Sequence, residues 1–200
     1  MSDATETSAV ARPIVQSGRT ASGWWGAALF IAAEATLFGT LIATYFYLRF
    51  ETTRWPPPGV PKPELALPLI LTAILVATTV PVLKAVQAAR AGRVGLAWLL
   101  VFAALVVQAA YFGIQVHEFQ SDLAKFTPSG SAYGSIYFTL VGAHHAHVAI
   151  GLLLDLWILG KLTRGLTSYR LTGLRVVALY WCFVSIAGVA IVLTQVSPSL

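Results

Sequence analysis

Hydrophobic and polar positions in this chain come in long blocks rather than in alternation. Apolar stretches cover about residues 24–48, 65–86, 96–116, 133–159 and 174–196, with short polar breaks between them. Each is close to or above the ~20 residues with which an α-helix crosses a bilayer. The pattern predicts an all-α, polytopic membrane protein, a five-transmembrane-helix bundle. In the second stretch Pro68 falls in a first turn, which tolerates it, and Pro81 is a candidate kink. Residues 1–22 are polar and lack an apolar run, so they read as a flexible cytoplasmic tail before a membrane domain at 23–200. No internal repeat of the kind that builds solenoids stands out.

Composition agrees. The chain is 57% hydrophobic and 10% charged, where soluble domains carry roughly 25% charged residues. The net charge of +5 calls for no nucleic-acid partner, because basic residues gathered on one side of a membrane account for it. Arg12 and Arg19 in the tail, Lys84, Arg90 and Arg93 after helix two, and Lys161, Arg164, Arg170 and Arg175 after helix four share one side. Arg49, Arg54, Lys62 and Lys125 share the other. This imbalance predicts a cytoplasmic N-terminus and an external C-terminus. Trp24, Trp25, Trp98 and Trp157 fall at the cytoplasmic helix ends, as an aromatic belt would. The first external loop is proline-rich and is expected to be stiff and extended.

Polar residues inside the apolar stretches carry the candidate chemistry. The fourth stretch holds His144, His145 and His147, three of the 4 histidines. On a helix His144 and His147 share a face, and His145 turns roughly 100° from His144. Gly142 and Ala143 just before them permit close helix approach. Glu34 lies about 15 Å into helix one from the inside, and His144 about 16 Å into helix four from the outside. Both are therefore near the middle of a core ~30 Å thick. Hydrocarbon offers neither group a partner, so Glu34 is expected beside helix four, next to His144 or His147.

Three histidines in four residues also raise a metal or haem site. Metal centres in helix bundles draw ligands from several helices, often as Glu-x-x-His pairs. This chain has no such pair, and its other helices offer only Glu34 and the peripheral His117. The histidines are read as hydrogen-bonded structural groups, with no catalytic, cofactor or metal-binding residue expected in the chain. His145 turns toward another helix or a cleft. His117 and Glu118 are placed at the solvated outer interface, and Asp155 against Lys161 or a neighbouring chain. Gln108 is read as an interhelical hydrogen bonder. The single Cys182 excludes an internal disulfide and is taken as a small buried hydrophobe.

The same residues carry a resemblance. Tyr133, Gly134 and Ser135, followed by Gly142, His144, His147, Val148 and Gly151, match the Tyr-Gly-Ser and Gly-x-His-x-x-His-Val-x-x-Gly pattern of subunit III of the haem–copper respiratory oxidases. Glu34 and Phe38 resemble that family's acidic residue before Phe, and Trp55, Pro56 and Pro57 its Trp-Pro-Pro loop. Gln115, Glu118 and Phe119 resemble the end of its next helix, and Tyr180, Trp181, Phe183 and Val184 its last helix. The resemblance spans residues 24 to 196, in a short five-helix form. Cys182, Ser185 and Gly188 stand where the family usually has His, Asp and Trp, and Leu71 where it has Asn. A thinner polar bridge between helices four and five follows.

The resemblance implies a cofactor-free accessory subunit of a proton-pumping terminal oxidase in the plasma membrane of a bacterium. Haem and copper would belong to subunits I and II. Subunit III would stabilise subunit I, bind phospholipid and support proton uptake. Glu34, His144, His147, Gln115 and Glu118 would form its intramembrane polar cluster, with Gly142, Gly151 and Trp181 as packing residues. The small residues Gly39, Ala43 and Gly188 mark further faces for close packing, one of them against subunit I. Alternatives are an accessory subunit of a quinol oxidase or nitric oxide reductase system, and a stand-alone di-metal membrane enzyme. The last needs more histidine boxes than this chain has.

Overall fold

The computed structural model describes residues 22–61 and 66–197; apart from Ser22, the tail lies outside the described residues. The elements are α1 (Ser22–Phe50), α2 (Ala66–Arg90), α3 (Val94–Lys125), α4 (Ala132–Leu162) and α5 (Ser168–Val196). All five are long and apolar enough to cross a membrane, and no strand occurs among the described residues.

Local chemistry sets the helix ends. Ser131 caps α4 by accepting from Gly134 N at 3.0 Å, and Thr167 caps α5 by accepting from Arg170 N at 3.2 Å. Gly92, at φ 75°, closes α2 with paired bonds from Gly92 N to Ala89 O at 3.0 Å and Arg93 N to Ala88 O at 2.9 Å. Helix α2 continues through Pro81. Helix α3 outruns its apolar stretch and carries His117, Glu118 and Asp122 in its last turns. The α2–α3 and α4–α5 connections and the start of α1 lie at a short-loop end. The α1–α2 and α3–α4 connections and the end of α5 lie at the opposite, long-loop end.

Helices α2, α3, α4 and α5 form a closed ring in which each packs on the next and α5 returns to α2. Helix α1 stands outside the ring, in the groove between α4 and α5, and packs on neither α2 nor α3 among the described residues. It buries only Phe38 and Tyr45. Lipid tails supply no hydrophobic drive between helices, so close approach and polar contacts must hold the ring. Gly151 shows the close approach: a Cβ there would lie 2.7 Å from Trp181 Cζ2, so the α5 indole rests on bare α4 backbone. Gly142 is looser, its nearest neighbour being Phe119 at 3.8 Å. Gly39 has nothing near it and faces away from the chain. At the long-loop end, Trp55 of the proline-rich loop wedges between Tyr45 of α1 and Tyr133 of α4, with ring centroids at 5.3 and 5.1 Å. Arg49 ties α1 to the end of α5 through Ser197.

Candidate functional site

The three histidines of α4 leave the helix in three directions. His147 turns to α1, where its Nε2 lies 3.0 Å from Glu34 Oε2. Its Nδ1 donates to the carbonyl of Ala143 at 2.7 Å. A carbonyl only accepts, so Nδ1 carries a hydrogen and one further proton lies between Nε2 and Oε2. The rings of Phe38 and Phe183 flank the imidazole at 5.1 and 5.9 Å. Tyr180 of α5 donates to the His147 carbonyl at 3.0 Å. The pair thus sits where α1, α4 and α5 meet. Glu34 is beside His147 and not beside His144.

His144 points into the ring. Gln115 donates to the Tyr111 hydroxyl at 3.0 Å, and that hydroxyl lies 3.3 Å from His144 Nε2. Tyr111 accepts from Gln115, and the direction of its bond with Nε2 depends on which His144 nitrogen carries the hydrogen. Gly188 makes room: a Cβ there would lie 3.1 Å from His144 Cε1. A side chain at position 188 would press on this histidine, which would have to give by a few tenths of an ångström. His145 turns to α3, where its ring lies 5.3 Å from Phe119 and 6.3 Å from Phe112, and its Nδ1 donates to Val141 O at 2.7 Å.

A further polar group is placed differently from the sequence reading: Asp155 does not meet Lys161. It is fully buried inside the ring, and Trp181 Nε1 donates to both of its oxygens at 3.1 Å. Lys161 lies instead over the Trp157 ring at 5.8 Å. With its amide oriented as its neighbours require, Gln108 of α3 donates to Asp155 Oδ2 at 2.8 Å and lies 3.2 Å from Thr78 of α2. A helical signal pointed this way: eleven residues bring Asp155 back to within about 20° of His144 on α4, with Gly151 on the same line. The α4–α5 polar bridge is therefore carried by Tyr180 and Trp181. Ser185 turns to α2, where it pairs with Thr79 at 2.8 Å.

The expected five-residue cluster is in fact divided. Glu34 and His147 form one unit, while Gln115 and His144 form another through Tyr111. Glu118 is half-buried on α3 and lines a cavity beside the second unit. Cys182 is half-buried rather than enclosed. Among the described residues no three His, Cys, Asp or Glu side chains gather as a metal set.

Comparison with known proteins follows the same residues. The family pattern of cytochrome c oxidase subunit III matches residues 10–195. Subunit 3 of the cytochrome bo(3) ubiquinol oxidase of Pseudomonas aeruginosa is 35% identical over 178 residues, covering 87% of this chain and 82% of that protein. Cytochrome c oxidase subunit 3 of Bacillus subtilis is 31% identical over 172 residues, covering 84% of this chain and 81% of that protein. Quinol oxidase subunit 3 of Bacillus spizizenii is 32% identical over 177 residues, covering 84% and 82%. The motif that places His144 and His147 and the fold built around it have one common source: the chain belongs to the cytochrome c oxidase subunit III family.

Proposed function

We propose that this chain is the non-catalytic third subunit of a proton-pumping terminal oxidase in a bacterial plasma membrane, with its N-terminus in the cytoplasm. It packs against the subunit that bears haem and copper, keeps that subunit stable through turnover and holds phospholipid at its surface. One observation carries this reading. The intramembrane polar groups pair off as Glu34–His147, Gln115–Tyr111–His144 and Asp155–Trp181, and do not converge on a common centre. Paired in this way they brace helices against one another, as a scaffold requires. Helix α1, with little of its surface buried in this chain, offers a long face to a partner. The relatives' names include both cytochrome c and quinol oxidases, so the electron donor is met by other subunits.

Mild-detergent purification through a tag on this chain tests the proposal. The expected result is recovery of a haem- and copper-bearing oxidase subunit, with phospholipid, and no stoichiometric metal on this chain once separated. A stable, lipid-free chain carrying its own metal would overturn it.

A further inference from the structure

The ring of α2, α3, α4 and α5 is not filled to its axis. It encloses a cavity of about 200 Å³ reaching from the long-loop end, at Pro61, Lys125 and Phe126, to His144 and Gly188. Polar groups on its wall include Tyr111, Gln115, Glu118, Tyr137, His144 and Gln195. Tyr137 donates to Asp122 at 2.5 Å near the mouth, and Asp122 is also paired with Lys125 at 3.2 Å. No residue of α1 lines it.

Two residues of this wall each carry a buried nitrogen with no protein partner: His144 at Nδ1 and His145 at Nε2. Residue His144 is only 5% exposed. Tyr111 takes one nitrogen of His144 and Val141 O takes one of His145, which leaves His144 Nδ1 and His145 Nε2 each able to donate or accept according to where the ring hydrogens lie. An unpaired buried donor or acceptor costs about 1–3 kcal/mol. A ligand that satisfies such nitrogens whichever role they take must both donate and accept, and must be small. Apolar cavities stay dry, but a polar one with room to spare takes up water, at ~30 Å³ a molecule in the liquid. A volume near 200 Å³ holds several such molecules.

We propose that this cavity is hydrated, and that bound water runs from the long-loop end to His144 at mid-membrane depth. Helix α4 then divides a wet interior, faced by His144 and His145, from a dry seam, where His147 meets Glu34.

Thiol reactivity tests this in the intact complex held in lipid nanodiscs, where both faces are open to reagent. Cys182→Ala leaves this chain without a thiol, and labelling is read on this chain after it is separated. Single variants Val141→Cys on the cavity wall, Phe38→Cys in the dry seam and Ile186→Cys on the outward face of α5 are then exposed to a charged methanethiosulfonate. The thiolate is the reactive form and arises in water, so Val141→Cys should react at least about tenfold faster than the other two. Adding Leu67→Trp at the mouth should slow it. In the unmodified complex, radiolytic hydroxyl labelling should oxidise Tyr111 and leave Phe38 intact, a readout that needs no variant to assemble. Equal inertness of all three cysteines, reaction of Val141→Cys only with a lipid-soluble maleimide, or a Tyr111 as protected as Phe38 would each overturn the proposal.

Discussion

Glu34 and His147 each solve the other's solvation problem, and replacing one exposes the other. Glu34→Ala removes the partner of His147 Nε2 while Ala143 still holds Nδ1. The variant should lose about 1–3 kcal/mol of bundle stability, the usual penalty for an orphaned buried group. Glu34→Gln keeps an amide in reach and should lose less. Thermal release of this subunit from the oxidase, followed by gel, ranks the two; equal losses would contradict the pairing. The depth match between Glu34 and helix four could be read from the sequence, because helical rise converts residue count into ångströms. The choice of His147 over His144 could not, since periodicity gives a direction around the axis without naming the helix that stands there. Packing follows the same logic at Gly151. Trp181 is pinned by Asp155, so it cannot retreat from a new side chain. Gly151→Val should destabilise by about 1–3 kcal/mol through overpacking, and Gly151→Ala by less. Denaturation in mixed micelles, followed by helix content, would show the order.

Elements were more legible than contacts. Five apolar blocks became five helices because a lipid-spanning segment must satisfy its own backbone, which leaves hydropathy little freedom to mislead. The ends were less legible. Helix α3 keeps its hydrogen-bond ladder to Lys125, well after its side chains turn polar, and hydropathy cannot register a helix that continues into water. Asp155 was misjudged for a related reason: its nearness in sequence to Lys161 suggested a pair, while its face on α4 directed it to Trp181. Between α2 and α5 the Thr79–Ser185 bond tests how much one such contact holds. A double-mutant cycle with Thr79→Val and Ser185→Ala should return a coupling of about 0.6 kcal/mol, and no more than ~1.7, the range for hydrogen bonds between membrane helices. A coupling of zero would mean that the two hydroxyls are satisfied elsewhere.

For the molecule as a whole, an odd number of crossings sets the two termini on opposite faces. Tags at either end should be reached by impermeant reagents from opposite sides of sealed vesicles, with the N-terminal tag reached from the side that holds the Lys84–Arg93 and Lys161–Arg175 clusters. Labelling of both tags from one side would remove a helix from the count. The burial pattern points the same way as the family assignment. The ring has its own interior of Leu75, Val82, Val101, Val177, Trp181 and Val184, while α1 brings two buried residues and an otherwise open surface. A firm ring with a loosely covered strut suits a subunit that completes its packing on another protein.

The position of α1 also sets a schedule for synthesis. Of the five helices it emerges before the others, yet its neighbours α4 and α5 emerge after α2 and α3, and Glu34 precedes His147 by 113 residues. At ~5–20 residues per second, the acid waits on the order of ten seconds in or near the bilayer before its imidazole exists. Ribosome-bound chains arrested after α3 should therefore hold α1 unanchored, crosslinking through residue 34 to lipid or to the insertion machinery. Chains arrested beyond α5 should crosslink from the same residue to α4. The first helix made is the last to find its place.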